Sequence, residues 1–80
     1  MKGERIEMAG LRDQNRALLT PREKEALKLL KQGKSAAEVA MVLGIRERTV
    51  KFHISNILQK LNAVNRTHAL AIALERGLLG

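Results

Sequence analysis

At 80 residues, 45% hydrophobic and 29% charged, the chain makes one small globular domain and leaves no room for a separate catalytic one. It contains no cysteine, which excludes disulfide scaffolds, thiolate metal sites and cysteine nucleophiles. Lysine and arginine number 15 against 8 acids, and a net charge of +7 on so small a domain favours a polyanionic partner.

No stretch shows sustained period-two alternation, so the elements read as helices throughout. Residues 1–18 carry only a weak apolar pattern, broken by Gly3 and Gly10, and are expected to form a linker or a flexible, weakly helical segment. A clear boundary follows. Thr20-Pro21-Arg22-Glu23 is a capping box with proline at the first helical position, so a first helix starts here and runs to Gly33. Ala26, Leu27, Leu29 and Leu30 supply its apolar face. Ser35-Ala36-Ala37-Glu38 repeats the capping box for a short second helix, with Val39, Ala40 and Leu43 inward and Gly44 at its end. A tight connection through Ile45 leads to a third helix, about 46–61, and a fourth runs from Asn65 or Arg66 to Arg76, closed by Gly77. The fold class is therefore all-α: residues 19–80 form a compact four-helix bundle in which the second and third helices make a helix-turn-helix.

The third helix has two distinct faces. At roughly 100° per residue, Val50, Ile54, Ile57 and Leu61 fall on one stripe, flanked by Leu58, and that stripe is core. The opposite side carries Arg48, Ser55, Gln59, Phe52 and Asn56, with Lys51 at its margin. Phe52, the only aromatic residue, lies about 200° from Val50. A stacking platform for single strands needs several aromatics, so a duplex read through a groove fits better. Phe52 has two readings here: an apolar side chain without consequence or against a neighbouring domain, or a contact to a thymine methyl or sugar in a major groove. Lys51 and Ser55 sit one turn apart beside it, so all three reach one strip of DNA; lysine donates to guanine acceptors and serine discriminates less.

His53 lies at the shoulder of the core stripe, and His68 is on another helix with no carboxylate at ligand spacing to either. These are expected to be structural histidines, or in the case of His53 one reaching a phosphate. Neither a metal site, a catalytic residue nor a cofactor is called for, so the chain is not expected to be an enzyme. No apolar run approaches the 18 or so residues of a membrane span, and the N-terminus is too charged for a secretion signal. A cytoplasmic location and no membrane partner are expected.

Several runs resemble the LuxR-type helix-turn-helix DNA-binding domain: L-T-P-R-E-K-E-A-L from Leu19, then G-K-S-A-A-E-V-A, L-G-I, and R-T-V-K-F-H-I-S-N-I-L-Q-K-L. The resemblance covers about Leu19 to Leu79, with the motifs in order and at the family's spacing. T-V-K-F-H and the later N-R-T-H-A are more similar to the acyl-homoserine-lactone receptor branch, that of quorum sensing, than to the response regulators. The resemblance implies a bacterial transcription regulator with its third helix in the major groove and its fourth pairing two protomers. It implies base contacts from Lys51, Phe52 and Ser55, and backbone contacts from Arg48, Thr49, Lys60, Arg66 and Thr67. Glu23 matches a first-helix glutamate of structural importance that can orient a neighbouring basic side chain. Two departures stand out. Arg46 occupies a position where many members have a serine or threonine cap, which weakens the cap by roughly 1 kcal/mol but adds a cation for a phosphate. Ser55 replaces a basic residue of some members, so sequence discrimination is expected to be modest.

Ala69 to Leu74 is apolar all the way round and asks for cover on more than one side. Either the tail, Leu78-Leu79, folds back over it, or Ala69, Leu70, Ile72 and Ala73 form a two-fold interface. Symmetry would then place two recognition helices about 34 Å apart on an inverted repeat. Small apolar contacts make a weak homodimer, one that pairs on DNA or through a missing upstream domain, and RNA polymerase is a further partner expected of such a regulator. Three other functions compete: a sigma-factor-like promoter-reading domain, a protein-interaction module docking through Phe52 and the fourth helix, and a basic membrane-surface helix. The capping and glycine punctuation of a folded domain argues against the last. The signal sensed, and whether this is a standalone regulator or an output domain, are not written in these residues.

Overall fold

The computed structural model describes residues 19–79, and the linker expected over residues 1–18 lies outside the described residues. Among these the chain forms four helices and no strand: α1 (Pro21–Lys31), α2 (Ala36–Leu43), α3 (Glu47–Leu61) and α4 (Arg66–Glu75).

Both capping boxes form. The Glu23 amide donates to Thr20 Oγ1 at 3.1 Å and the Thr20 amide donates back to Glu23 Oε1 at 2.9 Å. Ser35 and Glu38 make the same reciprocal pair at 3.2 and 2.8 Å. Each box satisfies two amides that the first helical turn leaves without partners. α2 ends on Gly44, whose φ of +70° lies in the left-handed region that favours glycine. The Ile45 amide then donates to Ala40 at 3.0 Å, and the chain enters α3 after only three connecting residues. This turn brings α3 to pack against α2.

α3 begins less well. Arg46 takes the extended N-cap conformation but makes no side-chain cap hydrogen bond, while Glu47 in the first turn favours the helix dipole. Arg46→Ser is therefore expected to raise stability by about 1 kcal/mol, read as a higher urea midpoint at unchanged slope. At the other end Asn62 adopts φ 55°, a left-handed cap that asparagine tolerates better than most residues. α4 starts with Asn65 Oδ1 accepting from the His68 amide at 2.8 Å, and His68 Nδ1 accepts in turn from the Val64 amide at 3.1 Å. His68 is thus occupied in closing the α3–α4 turn.

α3 is the hub, packed against α1, α2 and α4. Val50, Ile54, Ile57 and Leu61 are buried, joined by Leu19, Ala26, Leu27, Leu30, Ala36, Val39, Ala40, Ala69 and Ala73. Leu43, expected inside, is only half-buried, as is Leu29. Two of the residues expected at a dimer interface need correcting. Ala69 and Ala73 are 1% and 0% exposed inside the single chain, so their side chains are closed to a partner. Alanines on this side seat α4 in the core. Leu70 and Ile72 are half-buried, Leu74 is exposed, and Leu78 and Leu79 are packed against the core cluster. The Leu78 amide donates to the Ala73 carbonyl at 2.8 Å, which closes the end of α4 after Gly77.

Candidate nucleic-acid interface

The long apolar stripe of α3 faces inward, and its polar side faces solvent. Lys51, Phe52 and Ser55 are all exposed, Phe52 by 64%. Arg46 and Arg48 are exposed at the N-terminal end of the same helix, with Thr49 half-buried beside the core residue Val50. Arg66 and Thr67, also exposed, form the first turn of α4 just after the Asn62 cap. Both helices thus offer N-terminal turns, whose amides and dipoles suit anions.

Lys51 is not free on this face. Its Nζ lies 3.4 Å from Glu47 Oε2, an exposed i,i+4 pair. Glutamate one turn before lysine is the favourable order on a helix, and that spacing is present in the sequence. The Phe52 ring is 6.2 Å from the half-buried His53 ring, tilted by 55°. His53 therefore flanks the aromatic.

Lys60, expected among the phosphate contacts, has a protein partner. Its Nζ donates to Glu23 Oε1 at 2.8 Å, joining α3 to the N-terminus of α1. The Glu23 side chain is only 4% exposed and that of Lys60 27%. Burial pushes the Glu23 carboxyl up, but the Lys60 ammonium and the Thr20 amide and hydroxyl outweigh it and hold the carboxyl below its ordinary range. The basic neighbour that Glu23 orients is thus Lys60. Apart from this face, Met41, Val42 and Val64 are exposed apolar residues that the periodicity did not single out.

Two packed helices joined by a glycine turn, backed by two more, with an exposed lysine, phenylalanine and serine on the second, define a helix-turn-helix domain. The chain belongs to the bacterial regulatory proteins of the luxR family, whose family model matches residues 17–73. It is 52% identical over 62 residues to the transcriptional activator protein CarR of Pectobacterium carotovorum, covering 78% of this chain and 25% of that protein. It is also 54% identical over 61 residues to the HTH-type quorum sensing-dependent transcriptional regulator RpaR of Rhodopseudomonas palustris, covering 76% and 25%. The chain thus spans about a quarter of the length of these relatives. Among solved structures it resembles that of the transcription factor GerE, with a TM-score of 0.76 and 41% identity over 79% of this chain and 94% of that one.

Proposed function

We propose that this domain binds duplex DNA sequence-specifically as the DNA-reading part of a transcription regulator, with α3 in the major groove. The observation that carries this reading is the exposed row Lys51, Phe52 and Ser55 on a helix whose other side is the core. Lys51 meets guanine acceptors, Phe52 lies against a thymine methyl or sugar, and Ser55 adds a less selective hydrogen bond. Arg46, Arg48, Thr49, Arg66 and Thr67 meet phosphates and fix the register, while counterion release from the cations supplies most of the affinity. Two chains pair weakly on an inverted repeat through what α4 leaves accessible, Leu70 and Ile72 with Leu74. The domain does no chemistry of its own, and its setting is the bacterial cytoplasm; among the described residues no helix is long and apolar enough to cross a membrane. The likeness to the activator CarR supports a role in transcription activation, with RNA polymerase as a further partner.

Fluorescence anisotropy against a random duplex and a selected inverted repeat, each at two salt concentrations, tests this. Steep salt dependence and a preference for the repeat are expected; no binding at low salt would overturn the DNA reading. Within that assay Lys51→Ala is expected to cost about 1–3 kcal/mol on the selected site and much less on random DNA. Glu47 sharpens the expectation. Lys51 must leave or share its carboxylate to reach a base, so Glu47→Gln should strengthen binding to random DNA by removing a negative charge from the face.

A further inference from the structure

One carboxylate oxygen ties two parts of the fold together. Glu23 Oε1 accepts from the Thr20 amide at 2.9 Å, which closes the start of α1, and from Lys60 Nζ at 2.8 Å, which fastens the C-terminal turn of α3. The carboxylate is nearly inaccessible, whereas the ammonium keeps some contact with solvent. Lys60 is also the one basic residue in the last turn of α3, far along the helix from the Arg46–Arg48 end and from Lys51. Phe52 and Ser55 lie between that end and this anchor, on a helix whose opposite stripe is already held by Val50, Ile54, Ile57 and Leu61. Apolar packing fixes which side of α3 faces inward, and the short charge-assisted hydrogen bond adds a directional tie between its C-terminal turn and α1.

From this geometry we propose that Lys60 is a positioning residue: through Glu23 it locks the tilt of α3 on α1, and so the presentation of Lys51, Phe52 and Ser55, without itself neutralising a DNA phosphate. The proposal rests on the DNA-binding reading and refines it by removing one cation from the phosphate-contact set. It also links the point where the chain enters the domain, at Thr20, to the helix that reads DNA, because both hang on the same oxygen.

The test is the double variant Glu23→Gln/Lys60→Met in the full chain. Glutamine is competent in a capping box, so the start of α1 survives. One charge of each sign is removed, so the net charge stays at +7 and no charge is left buried alone. The double variant is expected to remain folded and to bind the selected duplex about tenfold more weakly, with a much smaller loss on random DNA, while the slope of log affinity against log salt stays that of the parent. Loss of a phosphate contact would instead flatten that slope by about 0.9, and this result would overturn the proposal. Unchanged affinity would overturn it as well. Residual dipolar couplings of α1 and α3 amides give a readout independent of DNA: a changed angle between the two helices is expected, and an unchanged angle counts against the proposal. If the parent chain itself binds no duplex, the DNA-binding reading fails while the couplings still decide whether Lys60 sets the tilt of α3.

Discussion

Lys60→Met on its own is expected to cost this domain about 3 kcal/mol at neutral pH, through the partner it abandons rather than through its own contacts. Breaking a buried ion pair from one side costs about 3–5 kcal/mol because the remaining charge has lost its compensation. The lower end applies here, since the Lys60 side chain keeps 27% of its exposure and water can partly replace it. A domain of this size has a total stability of only about 3–9 kcal/mol, so urea unfolding should show the variant near the edge of folding. The pH dependence identifies the cause. In the parent chain the Glu23 carboxyl lies below its ordinary range. Its contribution is therefore present above the unfolded carboxyl pKa and is lost as pH falls through the lower folded value. In the variant both Lys60 contributions that lower the carboxyl are gone while burial still raises it, so the carboxyl rises relative to the parent. Its contribution at neutral pH shrinks accordingly. The stability gap between the two proteins should thus be widest at neutral pH and close as pH falls through the parent's lowered carboxyl value. A gap constant across that range would assign the loss to packing of the lysine stem. Adding Glu23→Gln should restore much of the stability at neutral pH, because no buried charge is then left behind.

The helices were legible in the sequence because local chemistry dictates them. Thr20 with Glu23, and Ser35 with Glu38, are complete instructions within four residues, and Gly44 marks a turn that side chains resist. The inward stripe of α3 was legible for the same reason, since its periodicity needs no knowledge of neighbours. The exposed row of Lys51, Phe52 and Ser55 followed as its complement. What periodicity did not disclose were choices that depend on a second element. Ala69 and Ala73 look like a contact stripe for any partner, and only the seating of α4 in the core shows that the chain's own interior covers them. Lys60 reads as one more cation until the fold brings Glu23, on another helix, within 2.8 Å. Asn62 carried a usable signal, because asparagine past the last apolar position favours a left-handed cap.

Ile57→Ala and Phe52→Ala lie five residues apart on one helix and are expected to fail in opposite ways. Ile57 is 1% exposed at the centre of the core, where α3 meets the other helices. Truncation removes buried methyl groups and leaves a cavity that a hub helix, held on three sides, cannot collapse to fill. The expected cost is about 3 kcal/mol, lowering Tm by more than about 12 °C in a domain of this size. DNA affinity of the fraction still folded should change little, since Ile57 does not reach the polar face. Phe52, at 64% exposure, buries little within the chain. Phe52→Ala should keep stability within about 0.5 kcal/mol while weakening the selected duplex by on the order of 1 kcal/mol, about fivefold. Thermal unfolding and anisotropy on the same two samples separate the outcomes. Were Phe52→Ala to unfold the domain, the ring would belong to the core and the proposed groove contact would lose its central residue. Were it to leave both stability and DNA affinity untouched, the groove face would shift toward Arg48 and Lys51, and Phe52 would remain as a surface for a protein partner.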